Sequence, residues 1–495
     1  MVIPLDRKSP IPLYRQIRNH FAGLIAEGLL GVGSRLPPTR ELADSLEVSR
    51  TTVVQAYEEL EATGLITSRV GRGAFVNQYL PRKGSHGAKP RDGEKLRLEG
   101  MFSASWMHSM PALNGILDQL TRSPKDAGLV ALDSALPEPE LFPLVEFRDC
   151  LQSALRRYGS ELLTAGPPAG FEPLLEYLPV FLARRNIVCE PHQLMIVSGM
   201  QQGLSLLGKL FLNPGDTVAL ENLTYPGALW VFRSLQASLI GIPVDADGLR
   251  VDVLENVLRR TRVKLLYTIP TYQNPTGAVL SQERRQRLVE LCRRHQVLIV
   301  EDDYAHEFGY ERREWPPLKS WDECDGIVYL GSFSELLFPG IRLSWILAPR
   351  AILDRLLLLK QSSDLFTNRI LQGALLLFCE RGYLGRHLKR KRLLYRHKRD
   401  FLLEAMQRHF PAEAHWEKAR GGLFQWVDLP EEVDALEMLM RSREQRVVFA
   451  PDRLFSVAEW ERAGLRLSFV GAREEQLERG VKVIAGILKG EGTTT

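Results

Sequence analysis

The sequence of 495 residues predicts a multidomain protein: a small α+β unit of three helices and a hairpin, followed by a large α/β unit with a mostly parallel sheet. Three observations carry this. Before residue 77, apolar residues recur at spacings of three and four, are interrupted by Pro-Pro and Gly, and give way to two short β runs around a Gly-Arg-Gly turn. From about residue 115 onward, short runs rich in Leu and β-branched residues alternate with helical patterns. Between them lies a stretch rich in Gly, Pro, Lys and Arg without apolar periodicity, which reads as a tether. The expected boundaries are 1–76, a linker over 77–114, and 115–495.

In the first unit, Leu13, Ile17, Phe21 and Leu24 mark one face of a helix, and Gly31 and Gly33 end that segment. Pro37-Pro38 precedes Thr39, expected to cap a short helix running to Leu46. Ser49 caps the next helix, which sets Val53, Ala56, Tyr57 and Leu60 on one face and closes near Gly64. Leu65–Val70, the turn Gly71–Gly73 and Ala74–Val76 then form a hairpin.

Three helices and a two-stranded wing make a winged helix-turn-helix. Ser49, Arg50, Thr51 and Thr52 sit at the N-terminus of its second motif helix, where side chains reach base edges and backbone N–H groups reach phosphate. Arg35, Thr39 and Arg40 at the turn suit DNA contacts, the two arginines to phosphate, while Arg69, Gly71 and Arg72 on the wing suit the minor groove or backbone. Any one of these arginines alone is better read as solvated, but five on this motif point to double-stranded operator DNA. The run SRLPPTRELADSLEVSRTTVVQAYEELEATGLITSRVGRGAFV closely resembles the GntR type of winged helix-turn-helix.

Composition narrows the setting. The formal net charge of +4 is small for this length and neither demands nor excludes nucleic acid. The five cysteines form no CxxC pair, which speaks for a reducing compartment and against a zinc site or disulfide framework. The N-terminus lacks a basic-then-apolar signal, and no apolar run approaches the roughly 18 residues of a membrane span. A cytoplasmic protein with no bound metal and no membrane partner is expected.

In the large unit, the runs Leu194–Val197, Thr217–Leu220, Lys264–Thr268, Val297–Val300 and Gly326–Leu330 are the expected strands, with ligand-binding groups at their carboxyl ends. Gly199, Met200 and Gln201 open a helix after the first strand, a setting for phosphate. Tyr225 offers a ring for stacking, Asn274 an amide for a phenolic oxygen, and Asp302 a carboxylate for a protonated pyridine nitrogen, with Tyr304 beside the ring oxygen. Arg342 suits a phosphate and Arg466 a substrate carboxylate. Taken singly these are weak signals, since a lone Asn-Pro or Tyr-Pro-Gly is usually a turn. Their order along the chain is the specific feature.

That order resembles fold-type I aminotransferases over most of the large unit. Head and frame together resemble the MocR subfamily of GntR regulators. The resemblance implies a transcription regulator that senses a small-molecule effector, a vitamin B6 form or an amino compound. It also implies a head-to-tail homodimer with the pocket near the dimer interface. The basic segment Gly382–Asp400 recurs in that subfamily; a solvated helix face is expected there, with DNA contact as the alternative.

The resemblance also exposes a gap. The run GSFSELLFPGIRLSW, Gly331–Trp345, keeps Ser332, Ser334 and Arg342, but Glu335 stands where the family resemblance expects the lysine that holds pyridoxal phosphate (PLP). A carboxylate cannot condense with an aldehyde, so an enzyme of ordinary transamination is not expected. Further departures from the family pattern, at Ala135, Ala165, Leu175, Leu223 and Gly227, are expected to surround the substrate side of the pocket. Three readings stay open at this point. The pocket holds PLP or pyridoxamine phosphate (PMP) non-covalently, PMP being the better candidate; or it takes another ligand or none; or the glutamate is a replacement in an otherwise PLP-linked regulator. A PMP-dependent enzyme with Glu335 as base is the alternative of a different class.

Overall fold

The computed structural model describes residues 3–7, 9, 11–26, 29–31, 33–69, 73–77, 128–311, 315–457 and 463–490. Two compact units are present, divided within the stretch 78–127. Nearly all of the expected linker, the opening residues of the expected second domain, Gly71, Arg72 and the side chain of Arg69 lie outside the described residues.

The head contains α1 (Leu13–Ala26), α2 (Thr39–Leu46), α3 (Arg50–Ala62), and an antiparallel hairpin of β1 (Ile66–Arg69) and β2 (Gly73–Val76). Its core is Ile17, Phe21, Val53, Ala56 and Leu60, all fully buried, closed by Leu36, Leu42, Ile66 and Val76. The Phe21 ring meets Tyr57 edge-on at 5.8 Å, and the Tyr57 hydroxyl donates to the Pro37 carbonyl. On α1 the buried stripe is Ile17, Phe21 and Ile25 rather than one ending at Leu24, because steps of four keep the side chains on one face.

Ser49 caps α3 as expected, its hydroxyl accepting from Thr52 N at 3.1 Å, an interaction that contributes about 1 kcal/mol. Thr39 does not cap α2. It is the first helical residue, preceded by Pro38, and no side chain caps that end, since Pro38 has no polar group to offer.

The large unit is built on a seven-stranded sheet. Its strands are β3 (Leu194–Val197), β4 (Thr217–Glu221), β5 (Ser238–Ile242), β6 (Val263–Thr268), β7 (Leu298–Asp302), β8 (Ile327–Ser332) and β9 (Ser344–Leu347). The spatial order is β3-β9-β8-β7-β6-β4-β5. Only β9 runs against the others. The strands β3, β8 and β9 are buried along their whole length, as continuous apolar runs in a sheet covered on both faces require. The carboxyl ends of the parallel strands gather at one edge, and two strands extend further toward it than their apolar runs suggest. β7 ends on Asp302 and β8 on Ser332, so both polar side chains are fixed by strand backbone rather than by a loop.

Helices α4 (Met200–Phe211) and α5 (Pro226–Ser234) follow β3 and β4. The long helix α6 (Tyr383–His409) and a small antiparallel sheet complete the part of the frame that bears on the site. In that sheet β10 (Phe424–Asp428) and β11 (Ala450–Pro451) flank β12 (Gly464–Ser468).

On α6, Arg386, Lys389, Arg390, Arg392, Arg396 and His397 are exposed, as a solvated face requires, while His387, Lys391, Lys398 and Arg399 are buried. Three of the buried four donate to main-chain carbonyls. Lys391 Nζ reaches Glu335 O at 2.6 Å and Leu336 O at 3.3 Å. Lys398 Nζ reaches Ala472 O at 2.8 Å, and Arg399 bonds Ala419 O. Burying a cation is tolerable only with such partners. Among the described residues, no helix is long and apolar enough to cross a membrane, and no His, Cys, Asp and Glu cluster could hold a metal ion.

Candidate functional site

A cavity of about 290 Å³ opens beside the carboxyl ends of the strands. Of the residues singled out in the sequence, Met200, Tyr225, Asn274, Asp302, Tyr304, Glu335 and Arg466 all line it, drawn from segments far apart along the chain. Ala135, Ile269, Leu423 and Phe424 complete the lining.

Gly199, Gln201, Ser332, Ser334 and Arg342 stand next to the cavity rather than in its wall. Among the described residues no side chain caps the N-terminus of α4; the N–H groups of Gln202 and Gly203 turn to Gly199 O, which leaves those of Met200 and Gln201 to meet an anion. Arg342 bonds Ser198 O at 3.3 Å and lies against Gly199. Gly199 has φ +92°, and a Cβ there would fall 2.1 Å from Arg342 Nη2; only glycine allows the guanidinium to close on the helix end. An exposed cation and a helix N-terminus thus converge at one corner. Gln201 donates to Gly227 O at 2.8 Å, and a side chain at Gly227 would collide with Gln201 and Tyr225. Gly227 is what lets the Tyr225 ring approach.

Deeper in, Asp302 accepts from the Tyr267 hydroxyl at 2.6 Å through Oδ2, while Oδ1 is buried and has no hydrogen-bond partner among the described residues. Burial pushes its carboxyl up to about 7; the Tyr267 bond opposes the rise, and the charges of Glu335 and Asp303 add to it. Asn274 Oδ1 accepts from Arg466 Nη1 at 2.8 Å, which leaves its amide N–H groups to face a ligand oxygen. Arg466 is further held by the Asp133 carbonyl and lies 3.8 Å from the centre of the Phe424 ring. Burial lowers its guanidinium to about 10. The Tyr304 hydroxyl donates to Tyr272 O at 2.9 Å. Burial pushes the Tyr225 hydroxyl up to about 12.

Glu335 follows β8 by three residues. Its carboxyl is raised by burial, against the Ser332 hydroxyl bond and the more distant Lys391 and Arg342 charges. Its Oε2 is buried and unpartnered among the described residues, as is Ser334 Oγ. Ser332 Oγ accepts from Ser334 N at 3.1 Å, which sets the turn leading into Glu335.

The departures do not all surround this cavity. Ala135 lines it, but Leu175 packs into the main core, Leu223 packs with Trp426 and Phe455, and Ala165 is exposed. Apolar side chains at 175 and 223 are held by the surrounding hydrophobic clusters rather than directed to a polar ligand. Sequence reasoning missed Tyr267, Phe424 and Lys391. Tyr267 lies inside an apolar strand run and Lys391 inside a basic run, where each looks like its neighbours. Phe424 follows Gly421-Gly422, a signal for close approach to be found in the sequence.

The pattern of the aminotransferase class I and II family matches residues 148–484. The chain belongs to this family. The bacterial regulatory protein gntR family matches residues 13–76, which makes the head of this aminotransferase-family chain a GntR helix-turn-helix. Aromatic-amino-acid aminotransferase 1 of Thermococcus litoralis is 35% identical over 379 residues, 75% of this chain and 91% of that protein. The probable rhizopine catabolism regulatory protein MocR of Rhizobium meliloti is 30% identical over 416 residues, 82% of this chain and 80% of its own. Among solved structures, LysN, the alpha-aminoadipate aminotransferase of Thermus thermophilus complexed with N-(5'-phosphopyridoxyl)-L-leucine, superposes with a TM-score of 0.74. It shares 31% identity and covers 80% of this chain and 99% of its own.

A GntR head implies DNA binding, and an aminotransferase frame implies a site for a PLP- or PMP-type compound. The residues present fit such a group: a free helix N-terminus with Arg342 for phosphate, the idle Asp302 Oδ1 for a ring nitrogen, and the Asn274 amide for a ring oxygen.

The Asp302 carboxyl sets a pH dependence. Its folded pKa of about 7 lies above the ordinary 3.8, so the folded protein without ligand holds this proton more tightly than the unfolded chain. The resulting stabilisation is complete in acid and is lost as pH rises from about 4 to about 7. Asp302→Asn should therefore melt several degrees above wild type at about pH 8, the gap closing toward pH 5, in thermal scans without ligand. An equal gap at both pH values would contradict this account.

Proposed function

We propose that this protein is a DNA-binding transcription regulator whose aminotransferase-like unit senses a vitamin B6 form held without a covalent bond. The observation that carries this reading is the pairing of a GntR head with a B6-type cavity in which residue 335 is a glutamate. A carboxylate cannot form the imine that transamination requires, whereas a regulator needs only binding and a change of shape. The likeness to MocR supports regulation.

The proposed roles follow the geometry. Gly199, Met200, Gln201, Ser332, Ser334 and Arg342 serve the phosphate corner; Tyr225, Asn274, Asp302 and Tyr304 serve the ring; Arg466 serves an effector carboxylate. When bound, a B6 compound supplies an electron-withdrawing ring, and this chain's residues orient it and neutralise its charges. We take the assembly to be a head-to-tail homodimer. Leu136, next to cavity-lining Ala135, and Leu144 and Val145 on a nearby helix are exposed apolar side chains suited to a second copy.

In the head, Arg35, Arg40, Ser49, Arg50 and Thr51 are exposed, with Thr52 partly so. The acidic residues at the far end of α3 do not compete for the groove: Glu59 pairs with Arg18 at 3.2 Å, and Glu61 accepts from Ser68 N in the wing. Fluorescence anisotropy on DNA selected from random pools, or flanking the gene, tests the reading. Specific binding should weaken steeply with salt. Arg50→Ala should weaken it by about 1–3 kcal/mol and relax sequence preference, and Arg40→Ala should weaken all sequences alike. Affinity that is the same for every sequence would sink the regulator reading.

A further inference from the structure

Two carboxyl groups in the cavity each carry an idle oxygen. Asp302 Oδ1 and Glu335 Oε2 are both buried without a hydrogen-bond partner among the described residues, and both residues line the same cavity. A buried polar atom left unpaired is costly, so each oxygen calls for a donor from whatever fills the space. Asp302 suits a protonated ring nitrogen. The family resemblance sets position 335 beside the carbon that bears the aldehyde of PLP or the aminomethyl group of PMP.

We propose that Glu335 makes the cavity selective for a ligand with a protonated amine at that carbon, so that PMP is held in preference to PLP. This rests on the reading above that the cavity takes a B6 compound. The choice follows from donor counting. An aldehyde oxygen only accepts, and turned toward a carboxylate it leaves both oxygens unsatisfied. An aminomethyl group is cationic and brings N–H donors to Oε2.

The surroundings leave this role to Glu335. Arg466 is already engaged by Asn274, the Asp133 carbonyl and the Phe424 ring. The Lys391 amine is turned to the main-chain carbonyls of Glu335 and Leu336 rather than to the carboxylate. Burial raises the Glu335 carboxyl and the Ser332 hydroxyl opposes that rise, so a ligand ammonium brought to Oε2 supplies the charge that holds the group ionised.

The test uses full-length protein and two ligands that differ only at the carbon in question: PMP and 4′-deoxypyridoxine phosphate, which carries a methyl group there. Neither can condense with a surface lysine, as PLP can. Titration calorimetry should give wild type about tenfold or more tighter binding of PMP than of the deoxy ligand, and Glu335→Gln should erase most of that ratio. Equal affinity of wild type for the two ligands overturns the proposal, and this comparison needs no variant. A PMP preference that survives Glu335→Gln overturns it as well. If neither ligand binds wild type or variant, the B6 reading itself falls and takes the selectivity with it. Tight binding of both ligands without preference removes the selectivity alone.

Discussion

Glu335→Lys is expected to convert the cavity into a covalent PLP site. The substitution supplies an amine nucleophile and leaves the other proposed contacts in place: Asp302 and Asn274 for the ring, Tyr225 for stacking, and the nearby Arg342–Gly199 corner for phosphate. An amine at 335 would be buried and would lie near Lys391, whose own amine burial lowers to about 7. Burial and a like charge nearby both favour the neutral, nucleophilic form. Incubation with PLP, borohydride reduction and mass analysis should fix about one pyridoxyl group per chain at position 335. Wild type treated alike should carry none in the cavity. A variant that takes up no PLP would show that the ring and phosphate contacts are not functional. A wild-type adduct on a lysine beside the cavity, such as Lys391, would end the non-covalent reading.

Phe21→Ala should abolish DNA binding by unfolding the head. The side chain is fully buried and meets the Tyr57 ring edge-on, at the junction of α1 and α3. Removing a buried Phe side chain costs about 3–5 kcal/mol, which for so small a core is comparable to the whole stability. The large unit has cores of its own and should keep its fold. Calorimetry should lose the transition of the head and retain that of the large unit, and anisotropy should lose sequence-specific DNA binding. A variant that still binds operator with wild-type affinity would contradict the assignment of α3 as the reading helix, or the weight given to this core.

The fold was legible where local pattern and tertiary role coincide. Fully apolar runs became buried strands, and Ser49 could be read as a cap because a hydroxyl before a helical run has little else to do. Thr39 misled because the same cue sat after Pro38, where the helix begins a residue earlier than the cap rule expects. The cavity lining was largely readable, since its polar residues follow strand ends in a fixed order. The partners of those residues were not. Nothing local to Asp302 indicates that Tyr267 will reach it from the neighbouring strand, and nothing local to Lys391 separates it from the exposed Lys389 and Arg390. Charge runs on a helix have a buried side as well as a wet one, and only packing decides which residues take it.

That buried side of α6 bears on how residue 335 can change. Lys391 grips the main-chain oxygens of Glu335 and Leu336, and Lys398 and Arg399 grip those of Ala472 and Ala419. A peptide oxygen is present whichever amino acid occupies the position. The framework holding the wall is therefore indifferent to the side chain at 335, which can be exchanged between amine, amide and acid without unfastening it. Chemistry and architecture are uncoupled at this residue, so a single codon can alter what the cavity accepts while its shape persists.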